Sequence, residues 1–156
     1  DGRILTNKIM DMEGTVFSLS TYTYGPDGQI MKQVRQNLKT QDVFDFVYNY
    51  QDGDIESVSI SRNGEILDKF GYIYDSSTRN QFNVDIDNLL NDYFSNERMG
   101  KANTHLMNKA YRVNPAGDTT NLTFFTYTFD ADGYVMTRVD KDGLYDYSVE
   151  RHFFYE

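Results

Sequence analysis

The chain has 156 residues, a formal net charge of −9 and no cysteine. A chain of this length buries about 70% of its unfolded surface, so residues 1–156 are expected to form a single domain. The lack of cysteine excludes disulfides, thiolate metal sites and cysteine nucleophiles, and the acidic balance argues against partners that are nucleic acids or anionic lipid surfaces.

Alternating apolar and polar residues predict strands through the first half of the chain. Asp52-Gly53 and Asn63-Gly64 are two-residue hairpin signals, and Gly25-Pro26-Asp27-Gly28 is a strong turn. The pattern resumes briefly at 82–86 after a polar loop. The predicted strands of this half are 3–11, 15–24, 30–37, 42–50, 55–62 and 65–74.

The spacing of the apolar residues then changes from the alternation of a strand to the period of a helix. Apolar residues between Ile86 and Phe94 recur at the spacing of one helix face, and Asp87 is a plausible N-cap. A polar, irregular loop is predicted over 95–108. Four further strands are predicted at 110–113, 122–129, 134–139 and 145–155.

A repeated phrase organises the chain. Tyr22, Tyr48 and Tyr72 each begin a Tyr-x-Tyr pair, about 25 residues apart, which is the length of one hairpin and its turns. Hairpins in succession give an all-β antiparallel meander of about ten strands, curled or barrel-like, with one short helix after the sixth or seventh strand. The recurring tyrosines are expected to form a shared core layer.

Two features argue against a membrane-spanning chain. No apolar run approaches the roughly 18 residues of a membrane helix, so no transmembrane segment is expected. Lys32, Asp68 and Lys69 would interrupt the apolar band that a transmembrane barrel presents to lipid.

The repeated phrase consists of Tyr-x-Tyr, then two or three residues, then Asp-Gly-x-Ile/Val. It resembles the YD-type hairpin repeats of bacterial surface proteins. The whole chain, with its central loop around Gly100 and its aromatic last strand, resembles secreted Bacteroidetes lipoprotein domains of unknown function that have a porin-like fold. The resemblance implies an exported, periplasmic or outer-membrane lipoprotein whose anchor lies upstream of Asp1. That family brings no functional residues to carry over.

No catalytic constellation stands out in the sequence. Two histidines without cysteine make no typical zinc set, and the loops beginning at Asp130 and Asp140 lack the ligand spacing of a calcium loop. We therefore expect no enzyme, no metal and no cofactor. The favoured hypothesis is a non-enzymatic exported envelope or cell-surface module that binds a glycan or an envelope protein. A carboxylate-based hydrolase and a purely structural β-repeat scaffold are the alternatives.

The predicted loop over 95–108 is the candidate ligand-binding segment. It concentrates Arg98, Lys101, Asn103 and His105 in an otherwise acidic chain, so an anionic or polar ligand would find its most favourable potential there. The competing hypothesis is that the loop only returns the chain to the sheet, with Leu106 and Met107 fixing it to the core.

Overall fold

The computed structural model describes residues 3–79 and 104–154, which form one antiparallel sheet. The strands pair in chain order, so the predicted all-β meander is confirmed. Its ten strands are β1 (Thr6–Met10), β2 (Val16–Tyr24), β3 (Ile30–Asn37), β4 (Val43–Gln51), β5 (Asp54–Arg62), β6 (Glu65–Arg79), β7 (His105–Val113), β8 (Thr119–Phe129), β9 (Val135–Asp142) and β10 (Ser148–His152).

The sheet does not close, so of the predicted forms, curled or barrel-like, a closed barrel is not what the described residues adopt. Within the described residues β1 pairs with β2 alone and β10 pairs with β9 alone. These two edge strands have five residues each, and short edge strands offer few backbone groups for a closing pair.

The predicted helix at 86–94 lies outside the described residues, and the residues that the structure does describe contain no helix. Accordingly, that part of the chain offers no helix with the length and apolar character needed to cross a membrane.

Strand β7 begins earlier than its sequence pattern indicates. It starts at His105, inside the segment predicted as irregular, because consecutive Leu106 and Met107 are both buried and so break the alternation. A bulge follows: Ile73 pairs with Lys109 and the next residue pairs with Met107. His105 therefore lies on a strand rather than in a loop.

Two hairpins turn through pairs of left-handed residues. Asp52 and Gly53 have φ of 53° and 89°, and Asn63 and Gly64 have φ of 51° and 88°. Both central residues of a type I′ turn need this conformation, and Asn-Gly and Asp-Gly are the pairs that adopt it most readily. The turns predicted at these positions are confirmed.

Four other hairpins share a second kind of turn. In each, a glycine N–H donates to the carbonyl three residues earlier, and the turns begin at Asp11, Gly25, Asn114 and Asp130. Side-chain oxygens of Asp11, Asn114 and Asp130 also accept backbone N–H groups of their own turns. Asp11, Asn114 and Asp130 thus stabilise the turns that they begin.

The repeated tyrosine pair has two different structural roles. The first members, Tyr22, Tyr48 and Tyr72, are buried in one core cluster, as predicted. Tyr24 and Tyr50, the second members of two pairs, and Tyr127 of a later strand donate hydroxyl hydrogen bonds to backbone carbonyls 20 residues earlier. These bonds are Tyr24 to Ile4 at 2.8 Å, Tyr50 to Ile30 at 2.8 Å and Tyr127 to Met107 at 2.6 Å.

Candidate functional site

A cleft of about 380 Å³ lies where β4, β5, β6 and β7 are adjacent in the sheet. Tyr72, Tyr74 and Tyr111 line it, together with the carboxylates of Asp52 and Glu56. The volume falls within the range of small-molecule sites, and the combination of aromatic and polar groups is typical of them.

A hydrogen-bonded carboxylate–imidazole pair lies in the lining of this cleft. Asp54 is only 5% exposed, and its Oδ2 lies 2.6 Å from Nδ1 of His105. Its Oδ1 accepts the backbone N–H groups of Thr104, at 2.6 Å, and of His105, at 2.9 Å. A carboxylate accepts hydrogen bonds, so Nδ1 of His105 is the donor and Nε2 is the ring nitrogen left for the cleft. Three bonds to one side chain therefore hold both the ring and the start of β7.

The turn before Asp54 fixes this arrangement. Gln29 donates from Nε2 to the Gly53 carbonyl at 2.9 Å, and Thr104 Oγ1 lies 3.5 Å from the same oxygen. A Cβ at Gly53 would collide with the Thr104 hydroxyl, and its φ is in the left-handed region. Glycine is required here for both reasons, and it lets β7 approach the turn closely.

The Tyr72 hydroxyl is an unusual group in the lining. Tyr72 is 7% exposed, and its hydroxyl oxygen is buried without a hydrogen-bond partner among the described residues. Burial raises the pKa of Tyr72, so the group stays an O–H donor at physiological pH. A buried donor without a partner costs about 1–3 kcal/mol. A ligand in the cleft that supplied an acceptor for this hydroxyl would remove the cost, which accounts for a buried donor at this place.

Tyr111 is positioned by a glycine on the neighbouring strand. Gly71 of β6 pairs directly with Tyr111 of β7, and a Cβ at Gly71 would overlap the Tyr111 ring. The ring therefore occupies the space that a side chain at Gly71 would fill. Lys109 Nζ lies 5.8 Å from the centre of the same ring.

The described rim of the cleft is negatively charged. Asp52 and Glu56 are exposed, and Asp75 lies close enough for electrostatic interaction with His105. The pKa of Asp75 lies below its usual range, mainly because the Ser77 hydroxyl donates to it, with a smaller contribution from His105. His105 is thus bonded to one carboxylate, that of Asp54, and interacts electrostatically with a second, that of Asp75.

The structure describes one of the four predicted site residues. Arg98, Lys101 and Asn103 lie outside the described residues, whereas His105 lines the cleft. Sequence reasoning missed Asp54, because its place after an Asp-Gly turn indicates only a hairpin.

The Asp-x-Asp-Gly segments serve as turns. The Asp130 carboxylate accepts the N–H groups of Asp132 and Tyr134, both at 2.9 Å. The Asp142 carboxylate accepts those of Leu144 and Tyr145, at 2.7 and 2.8 Å. Across residues 3–79 and 104–154, no three side chains of the metal-ligating types come together as a metal site.

A second hollow, of about 550 Å³, lies beside the β9–β10 turn. Phe124, Lys141, Leu144 and Tyr145 line it, and Tyr145 is 73% exposed. We call it the C-terminal hollow. The residues that line the C-terminal hollow are largely exposed, whereas Asp54 and the Tyr72 hydroxyl in the cleft of His105 are buried.

The open meander defines the class of this protein as an antiparallel β module. No protein-family model and no curated protein matches the sequence. Among solved structures, the chain is similar to a porin-like protein from Bacteroides uniformis ATCC 8492, with 14% identity and a TM-score of 0.65 over 96% of this chain. It is also similar to a porin-like protein from Bacteroides vulgatus ATCC 8482, with 14% identity and a TM-score of 0.61 over 93% of this chain.

The match covers 64% of the Bacteroides uniformis protein and 70% of the Bacteroides vulgatus protein. At 14% identity these similarities concern the fold. The porin-like fold implied by the sequence resemblance is therefore confirmed.

Proposed function

We propose that the protein is a non-enzymatic, envelope-associated module that binds a glycan or a protein partner through the cleft of His105. The observation that carries the proposal is the buried Asp54–His105 pair, in which one carboxylate accepts three hydrogen bonds. The pair holds the imidazole ring in one orientation before any ligand arrives. Preorganisation of this kind lowers the entropic cost of binding.

The bonding of Asp54 and His105 favours a binding role for this pair over a hydrolytic one. A glycoside hydrolase needs two carboxyl groups that face each other across the substrate, free to act as acid and base. Both oxygens of Asp54 are already engaged by backbone and imidazole groups. In the described lining His105 makes no hydrogen bond to the Ser76 hydroxyl, so an activated serine nucleophile is not assembled there.

The envelope location is supported by the similarity of fold to porin-like proteins from Bacteroides. We propose that the full-length protein is exported and anchored by a lipid upstream of Asp1. Fractionation of native cells tests this: the protein should enter the detergent phase in Triton X-114, and inhibition of lipoprotein processing should leave it as a larger precursor. Recovery with cytosolic markers would contradict the location.

Binding is tested with a histidine variant that preserves the fold. In His105→Asn the amide nitrogen can take the place of Nδ1 and donate to Asp54, while the part of the ring carrying Nε2 is lost. The matched control is His152→Asn, because His152 is an exposed histidine on β10, remote from the cleft along the sheet. We expect wild type and the control to bind the same glycans on an array, and His105→Asn to bind them at least tenfold more weakly. Equal binding by all three forms would contradict the proposed site.

A further inference from the structure

The hydrogen-bonding groups of the cleft restrict the chemistry of its ligand. The buried Tyr72 hydroxyl is a donor without a partner among the described residues, so it needs an acceptor on the ligand. The exposed carboxylates of Asp52 and Glu56 are acceptors when ionised, so they need donors on the ligand. A matching ligand must therefore offer both kinds of group within a space of about 380 Å³.

Charged ligands satisfy only half of this requirement. An ammonium group donates to Asp52 and Glu56 but has no lone pair for the Tyr72 hydroxyl. A phosphate or carboxylate group accepts from Tyr72 but is repelled by the two carboxylates of the rim. A hydroxyl group both donates and accepts, and it carries no charge. A compact set of hydroxyl groups is therefore the chemistry that matches the whole lining.

The aromatic part of the cleft points to the same class. Tyr111 lines the cleft with its ring held across the bare backbone of Gly71. Aromatic rings combine a large apolar face with a polar edge, and a pyranose ring likewise has an apolar C–H face and a polar rim. The volume is sufficient for about one or two such rings.

We propose that the cleft binds a neutral sugar unit, with its hydroxyl groups bonded to Tyr72, Asp52 and Glu56 and its ring packed on Tyr111. This assignment rests on the proposed function and specifies the ligand of the same cleft. Tyr72 and Tyr111 are binding residues in it, and Gly71 is a positioning residue that acts through Tyr111.

A set of probes that differ mainly in charge tests the assignment. Glucose, galactose, mannose and N-acetylglucosamine are neutral, whereas glucuronic acid is an anion and glucosamine a cation below neutral pH. Saturation-transfer NMR at pH 6.5 detects binding with dissociation constants on the order of millimolar. We expect at least one neutral sugar to bind, and the anionic glucuronic acid to bind at least tenfold more weakly.

Two tyrosine variants separate a binding role from a structural one. Tyr72→Phe removes a hydroxyl without a described partner, so the unfolding midpoint should stay the same or rise, while sugar binding weakens about five- to tenfold. The matched control is Tyr50→Phe, because the Tyr50 hydroxyl donates to the Ile30 carbonyl at 2.8 Å. The control should lower the unfolding midpoint and leave sugar affinity unchanged.

The outcomes distinguish the inference from the proposed function. If only glucuronic acid or glucosamine binds and His105→Asn abolishes that binding, the neutral-sugar inference is overturned and the proposed site stands. If a neutral sugar binds but Tyr72→Phe binds it as tightly as wild type, the inference is also overturned. If none of the six sugars binds, the inference fails, and the His105→Asn comparison then decides the proposed function separately.

Discussion

Replacing Asp54 should release the start of β7 from the β4–β5 turn. Asp54→Ala removes a carboxylate that accepts two backbone N–H groups and the His105 ring N–H. Hydrogen bonds to charged groups are worth about 1.5–3 kcal/mol each, but part of this gain offsets the cost of burying the charge. We expect a net loss of about 2–4 kcal/mol in the free energy of unfolding, because two backbone N–H groups and the ring N–H lose their acceptor.

Asp54→Asn should be milder. The amide oxygen keeps the two backbone bonds, and the imidazole can change tautomer so that Nδ1 accepts from the new amide. We expect a loss of about 1–2 kcal/mol, chiefly from the missing charge.

Urea unfolding followed by tyrosine fluorescence and circular dichroism measures both effects, with Asp27→Ala as the control. Asp27 is an exposed turn residue, so its replacement should change stability by less than about 0.5 kcal/mol. A loss below about 1 kcal/mol for Asp54→Ala would refute the argument that this pair holds β7 in place.

Three further predictions concern stability, titration and metal. Tyr50→Phe should lower the free energy of unfolding by about 1 kcal/mol in a urea titration, because the Ile30 carbonyl loses its donor. An unchanged free energy of unfolding would show that the repeated tyrosine bond does not stabilise the fold. Hydrogen bonds from Arg62, with smaller contributions from other groups, hold the pKa of Asp42 at about 2, against an ordinary value of 3.8. The stabilisation from Asp42 is therefore complete above about pH 4 and lost as the pH falls towards 2, and Arg62→Gln should raise the pKa of Asp42 in an NMR titration. EDTA should leave the melting temperature unchanged, and stabilisation by calcium of several degrees would contradict the turn role of the Asp-Gly segments.

Local sequence signals were sufficient for the order of the meander. Asn63-Gly64 and Asp52-Gly53 adopt the left-handed pairs that their residue types favour, and such a turn determines which strands are neighbours. The buried positions of Tyr48 and its repeats follow from the same local periodicity. Each of these features depends on residues that are close together in the chain.

The start of β7 and the cleft depend on partners far apart in the chain, so local patterns could not predict them. Leu106 and Met107 are buried in succession, in two different core clusters, which no alternation indicates. Asp54 meets His105 across 51 residues of sequence. Gly71 faces Tyr111 only because the register of β6 and β7 makes them partners.

The most direct test of the account is to map the ligand onto the protein by NMR. A sugar that binds on the array is titrated into uniformly ¹⁵N-labelled protein, and the shifted amide signals are assigned. The account predicts that the largest shifts fall at Asp54, His105 and Tyr111. Shifts confined to Phe124 and Tyr145 of the C-terminal hollow would contradict it.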